Sequence, residues 1–88
     1  MTDYGLALAP AARRAIESGL PEDIATAVIE FITGPLVENP RRVGKELVRD
    51  LAGLHSARRG TYRVIYRIDD AAHEVVVLRI DHRRAVYR

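Results

Sequence analysis

The stretch that decides the fold is Gly60-Thr61-Tyr62-Arg63-Val64-Ile65-Tyr66-Arg67-Ile68. In an extended chain, successive side chains point to opposite sides. One side then carries apolar and aromatic groups: Tyr62, Val64, Tyr66 and Ile68. The other side carries Thr61, Arg63, Ile65 and Arg67, which include two arginines. We therefore predict a strand over residues 60–68 with one face against a core and one face in solvent.

Further strands are predicted on both sides of this one. Residues 69–72 (Asp-Asp-Ala-Ala) are typical of a turn, and residues 74–81 predict a strand with Val76, Leu78 and Ile80 on one face. Residues 51–57 predict the preceding strand. Weak alternation over residues 3–8 predicts another at the N-terminus.

Two helices are predicted between the first strand and the others. Pro10 suits the first turn of a helix over residues 11–18, and Pro21 opens a second one. The second helix repeats its apolar residues at helical spacing: Ile24, Ala27, Val28, Phe31 and Ile32. Gly34-Pro35 should kink or end it. Residues 41–50 form a basic connector without an assigned structure. We expect one α+β domain over residues 1–88: an N-terminal strand, a helical hairpin and a three-strand antiparallel meander, with the helices on one face of the sheet.

Charge is distributed unevenly along the chain. The net charge is only +2, but residues 1–40 have a net charge of −4 and residues 41–88 one of +6. All the basic residues except Lys45 are arginine, which suits bidentate contact with phosphate. This balance favours a polyanion partner such as nucleic acid, with a solvated arginine-rich surface as the alternative.

Several classes of protein and site are disfavoured. The chain has no cysteine, and its three histidines lack metal-ligand spacing, so we expect no metal and no cofactor. The sequence has no glycine-rich phosphate loop. With neither a signal peptide nor a membrane-spanning stretch, a cytoplasmic protein is expected.

The arginines gather on the predicted open face of the sheet. Arg63 and Arg67 project from the central strand, while Arg58 and Arg59 enter from the preceding turn. Arg83 and Arg84 follow the last strand. Such a face would hold several guanidinium groups around one phosphate.

Residues 51–68 resemble the RelE/ParE toxin superfamily. The shared pattern is Leu51-x-Gly53, then Arg58-x-Gly60, then Tyr62-Arg63-Val64-Ile65-Tyr66. The tail is also similar, with His82-Arg83-Arg84 and Val86-Tyr87. The order of elements matches the RelE-like fold over the whole chain, and the RelE branch of actinobacteria, including mycobacteria, is the most similar.

This resemblance implies the toxin of a type II toxin–antitoxin pair. It implies a ribosome-dependent endoribonuclease that cleaves mRNA in the A site and so inhibits translation. The implied reaction uses no metal: the 2′-hydroxyl would attack the adjacent phosphate and leave a 2′,3′-cyclic phosphate. Such chemistry needs a base, cations for the transition state and an acid for the leaving oxygen.

Site residues follow from the matched positions. Arg63 corresponds to the arginine at the scissile phosphate, Arg83 to a second phosphate clamp and Arg58 to a supporting cation. Tyr87 matches a near-terminal tyrosine that stacks on a base or moves a proton. We expect further contacts with RNA from five residues: Lys45, Arg59, Arg67, Arg84 and Arg88.

The general base is left open by the sequence. Some RelE toxins carry lysines on the strand that corresponds to residues 54–56, where this chain has Leu54-His55-Ser56. His55 is one candidate because histidine titrates near neutrality, unless it turns toward the core. Glu46 is another, since related toxins use a glutamate in a similar connector.

The resemblance also implies partners and leaves two other functions open. The implied partners are a RelB-like antitoxin, the ribosome and mRNA, with promoter DNA bound only through the antitoxin complex. One alternative function is a ParE-like poison of DNA gyrase without nuclease activity, because the fold is shared. The other is a non-toxic family member that acts only as a binding module.

Overall fold

The computed structural model of this chain describes residues 3–82. Its strands are Gly5–Leu8 (β1), Lys45–Glu46 (β2), Leu54–Arg59 (β3), Tyr62–Asp69 (β4) and Glu74–His82 (β5). They form one sheet in the order β1-β5-β4-β3-β2. Strand β1 runs parallel to β5, and every other neighbouring pair is antiparallel.

The helices lie between β1 and β2 in the chain. Helix α1 (Pro10–Arg14) continues as a wider π-helical turn over Ala15–Gly19, and α2 (Glu22–Thr33) follows. The predicted break at Gly34-Pro35 is confirmed, since the chain resumes there as the short α3 (Pro35–Glu38). Within residues 3–82, no helix is long and apolar enough to cross a membrane.

The core lies between the helices and one face of the sheet. Val28, Phe31 and Ile32 of α2 are buried, as the helical spacing predicts. The alternation of β4 is also confirmed, because Tyr62, Val64 and Tyr66 are buried while Arg63 and Arg67 are exposed. The helices therefore leave the arginine face of the sheet open.

Three details of the prediction were wrong. The sheet is mixed rather than wholly antiparallel, because β1 pairs in parallel with β5. The unassigned connector contributes an edge strand, β2, so the meander has a fourth member. The strand predicted over residues 51–57 begins only at Leu54, because Gly53 has a φ of 93°, outside the extended region.

The β3–β4 turn is tighter than predicted. Gly60, with a φ of 57°, and Thr61 form the turn, so Arg59 pairs with Tyr62. Arg58 and Arg59 therefore belong to β3 rather than to the loop before β4. Positive φ is easily adopted by glycine, which explains the residue at this turn.

A β-bulge in β5 overturns the predicted face of that strand. Ile65 pairs with Arg79 and Tyr66 with Val77, which leaves Leu78 as an extra residue. Val75 and Val77 are buried before the bulge, and Ile80 and His82 after it. The predicted set of Val76, Leu78 and Ile80 is thus split, because the alternation changes phase at Leu78.

The buried Tyr66 hydroxyl anchors the segment before β2. It donates a hydrogen bond of 2.6 Å to the Pro40 carbonyl, and both residues are fully buried.

We expect Tyr66→Phe to lower the free energy of unfolding by about 1–3 kcal/mol, because it leaves a buried carbonyl without a donor. Urea unfolding measures the change. Tyr62→Phe is the control, since its 3.4 Å contact with the Ala27 carbonyl is long and should cost less. Equal losses in both variants would contradict this account.

Alkaline stability should depend on the same phenol. Burial raises the pKa of Tyr66 from 10.0 to about 12. The folded protein therefore holds this proton more tightly than the unfolded chain does, so stability is lost as pH rises from about 10 to 12. We expect Tyr66→Phe to flatten this decline in part, because burial also raises the pKa of Tyr62. Urea midpoints measured from pH 9 upward test it, and an unchanged slope would contradict the expectation.

Candidate nucleic-acid interface

Two arginines lie directly opposite each other on the open face of the sheet. Arg58 of β3 pairs with Arg63 of β4, so their side chains project from the same face. Like charges placed directly opposite are destabilising in a sheet. Within residues 3–82, neither guanidinium has a hydrogen bond or an ion pair to relieve this repulsion. The pair is therefore well placed to bind an anion.

A cleft of about 420 Å³ extends from this pair toward the β2 edge. Its charged side chains are all cationic: Lys45, Arg58, Arg59 and Arg63. The remaining lining comes from Val43, Gly44, Leu47 and Ser56. Four positive groups without a lining carboxylate create a strong positive potential in a concave surface, which suits phosphate.

Asp81 lies on the other side of Arg63. The two residues pair across β4 and β5, and the bulge at Leu78 brings Asp81 onto this face. Arg79 holds the Asp81 carboxylate with bonds of 3.0 Å from Nε and 2.9 Å from Nη2. Within residues 3–82, no hydrogen bond or ion pair joins the Arg63 guanidinium to Asp81, so this guanidinium remains available for a ligand.

Comparison with known proteins identifies the family. A family model described as the ParE toxin of type II toxin–antitoxin systems matches residues 8–87. The chain belongs to the ParE/RelE toxin family. It is 53% identical over 85 residues to the toxins RelE and RelG of Mycobacterium tuberculosis, which covers 97% of this chain and 87% and 97% of those proteins. The mycobacterial RelE branch predicted from the sequence is thereby confirmed.

Solved structures of the family share the fold. The toxin–antitoxin complex RelBE2 from M. tuberculosis contains a chain with 53% identity and a TM-score of 0.89, with 94% of each chain covered. The isolated RelE toxin of Escherichia coli has 18% identity and a TM-score of 0.73, with 90% of this chain and 83% of that chain covered. At that identity the likeness concerns the fold alone. The predicted RelE-like α+β class is confirmed.

The cleft contains some of the predicted RNA-contacting residues and not others. Lys45 and Arg59 line it with Arg58 and Arg63. The Arg59 guanidinium also lies over the Phe31 ring, 4.7 Å from its centroid, so this side chain is held at the helix side of the edge.

Arg67 lies outside the cleft, 3.9 Å from the Asp69 carboxylate. The remaining predicted residues lie outside the described part of the chain: Arg83, Arg84, Tyr87 and Arg88.

The two candidate bases lie on the opposite face of the sheet. Glu46 and His55 pair with each other across β2 and β3, and His55 pairs with the buried Tyr66. The rings of His55 and Tyr66 stack with centroids 5.4 Å apart. The His55 Nδ1 atom is buried without a hydrogen-bond partner among residues 3–82. Neither side chain lines the cleft, because the alternation of β2 and β3 turns both away from it.

Some site residues were missed by the sequence analysis. Ser56 and Gly44 were not among the predicted site residues. Both line the cleft because β2 folds back onto β3. A two-residue strand is too short to show a period, so the residue pattern held no indication of this pairing. Asp81 was not among the predicted site residues either, because alternation within β5 does not show which residue of β4 lies opposite it.

Residues 3–82 contain no group of three or more His, Cys, Asp or Glu side chains that could hold a metal ion. Among the residues that line the cleft, the charged ones are three arginines and Lys45. The described residues of the cleft therefore present fixed cations, which suit an anionic ligand.

Gly44 allows β2 to approach the sheet. A Cβ atom at this position would lie 2.7 Å from the Ser56 carbonyl oxygen and would also collide with the Tyr66 hydroxyl.

We expect Gly44→Ala to lower the free energy of unfolding by about 1–3 kcal/mol, since the backbone must shift to make room. The matched control is Gly19→Ala, whose Cβ would meet no atom closer than 3.7 Å. Urea unfolding of both variants checks this, and equal stability would refute it.

Proposed function

We propose that this toxin is a ribosome-dependent endoribonuclease that cleaves mRNA in the A site and so inhibits translation. The observation that carries the proposal is the Arg58–Arg63 pair, which lies in a cationic cleft without a protein partner among residues 3–82. RNA supplies both features that the cleft lacks: negative charge, and a nucleophile in its own 2′-hydroxyl.

The proposed reaction is an internal transesterification. The 2′-oxygen forms a bond to the adjacent phosphorus while the bond from phosphorus to the 5′-oxygen breaks, which yields a 2′,3′-cyclic phosphate and a 5′-hydroxyl. No metal-bound water is needed, because the nucleophile is part of the substrate. Negative charge accumulates on the phosphoryl oxygens in the transition state, and fixed cations stabilise it most when they need no rearrangement.

Arg63 and Arg58 have the roles of phosphate clamps in this scheme. Both belong to paired strands and lie next to the Gly60-Thr61 turn, so their Cα atoms are fixed by the sheet ladder. Arg79 occupies the Asp81 carboxylate, so Arg63 can offer its N–H groups to the phosphate. Arg83 and Tyr87 remain proposed as a further clamp and as a stacking or proton-moving group. Arg59, Arg67, Arg84 and Arg88 are proposed to bind neighbouring parts of the RNA.

The proposed regulator is a RelB-like antitoxin. The M. tuberculosis relative was solved as the toxin–antitoxin complex RelBE2. A partner that neutralises this toxin has to compensate the positive potential of the cleft, which favours acidic residues on the antitoxin. We propose that promoter DNA is bound only by the complex, through the antitoxin.

Primer extension on mRNA held in a ribosome with an empty A site tests the nuclease. We expect the wild-type toxin to cut within the A-site codon. Arg63→Ala and Arg58→Ala should each slow cleavage by about 100-fold or more, because each removes a preorganised cation from the transition state. Arg13→Ala is the control, since Arg13 is an exposed residue of α1, on the helix side of the sheet.

Two results would count against the proposal. An intact message with the wild-type toxin would exclude A-site cleavage, and the same samples would then be assayed for gyrase-dependent DNA breaks. Equal activity in Arg63→Ala and Arg13→Ala would show that the cleft is not the catalytic surface.

A further inference from the structure

Lys45 is the only lysine in the chain, and it lies in the cleft. The sequence analysis expected it only to contact RNA. Its place in the fold is specific, because it pairs with Ser56 across β2 and β3 and so shares the open face with Arg58 and Arg63. Within residues 3–82, its ammonium group forms no ion pair.

The proposed reaction needs a proton donor that the arginines cannot supply. The departing 5′-oxygen leaves as a strongly basic alkoxide unless it is protonated. Guanidinium groups remain protonated in proteins, so they stabilise charge without giving up a proton. Ammonium groups are charged at neutral pH and release a proton far more readily than guanidinium groups do. Among the described residues that line the cleft, Lys45 is the one with a group of this kind.

We propose that Lys45 is the general acid of the cleavage reaction, an inference that rests on the proposed function. As the bond between phosphorus and the 5′-oxygen breaks, the electron pair stays on that oxygen, and Nζ of Lys45 donates a proton to it. The proton of the 2′-hydroxyl passes to water. The neutral amine then takes a proton from water, so the enzyme returns to its starting state.

The register sets the spacing that this role requires. Lys45 lies diagonal to Arg58 on the neighbouring strand, which corresponds to about 7–8 Å between the backbones. Arg63 is one strand farther away, at about 12 Å from strand spacing and rise. Long side chains at these separations converge on one phosphodiester rather than on each other. Arg58 and Arg63 then hold the phosphoryl oxygens while Lys45 reaches the leaving oxygen at the β2 edge.

The His55–Glu46 pair does not compete for this role. Both side chains belong to the face that carries Tyr66, so the sheet itself separates them from a phosphate bound by Arg58 and Arg63. Arg59 is also unsuitable, because its guanidinium is held over Phe31 and retains its proton.

A substrate with sulfur at the leaving position tests the inference. We would measure single-turnover cleavage of a ribosome-bound mRNA, with either oxygen or sulfur at the 5′-bridging position of the scissile phosphate. A thiolate leaves without being protonated, since thiols are far more acidic than alcohols. The variants are Lys45→Arg, which keeps the charge but cannot transfer the proton, and Lys45→Gln. Lys45 is exposed, so both should fold, and circular dichroism verifies this.

We expect Lys45→Arg and Lys45→Gln to cleave the all-oxygen message about 100-fold or more slowly than the wild type. With the sulfur substrate, both should recover to near the wild-type rate. Arg63→Ala should remain slow on both substrates, because a better leaving group does not replace a phosphate clamp.

The outcomes separate this inference from the proposed function. Lys45→Arg with full activity on the oxygen substrate would overturn the inference and leave the nuclease intact. Lys45 variants that stay slow on the sulfur substrate would also overturn it, since Lys45 would then act in binding or as a base. A wild-type toxin that cleaves neither message would instead refute the proposed function.

Discussion

The register of the β3–β4 hairpin is the constraint on which the site depends. Its two-residue turn at Gly60-Thr61 pairs Arg59 with Tyr62 and Arg58 with Arg63. A slip of one residue would move every side chain of a strand to the other face. Tyr62, Val64 and Tyr66 would then face solvent, and Arg63 would face the helices. Burial of the tyrosine face therefore fixes the arginine pair in the cleft, and the core sets the geometry of the site.

The sequence was most informative where one period extends over a whole element. The alternation of residues 62–67 predicted both the buried and the open face of β4, and the helical spacing of α2 predicted its buried side. Prediction failed where a short or irregular feature decides the structure. Strand β2 has two residues, and the bulge at Leu78 changes the phase of β5. Neither has a period of its own, since each depends on pairing with a neighbouring strand.

The candidate site was predicted to a similar extent. Arg58 and Arg63 were found because a motif and an alternation agree on them, and the structure brings them together. His55 and Glu46 were chosen for their chemistry, which says nothing about the face of the sheet they occupy. The pairing of β2 with β3 turns both toward Tyr66 and turns their neighbours Lys45 and Ser56 toward the cleft. One-residue alternation thus separates the two candidate bases from Lys45, which lines the cleft.

The cleft combines rigid and weakly held parts. Arg58 and Arg63 belong to strands that pair along their length, whereas Lys45 belongs to a two-residue edge strand with exposed side chains. Edge segments of this kind open locally at low free-energy cost. In this protein, two contacts hold the β2 segment against the sheet: the hydrogen bond from the Tyr66 hydroxyl to the Pro40 carbonyl and the close approach of Gly44 to Ser56. A buried tyrosine on one face of the sheet therefore helps to position the cleft's lysine on the other face. Under the proposed mechanism, damage to this anchor should disturb proton transfer by Lys45 before it disturbs phosphate binding by Arg58 and Arg63.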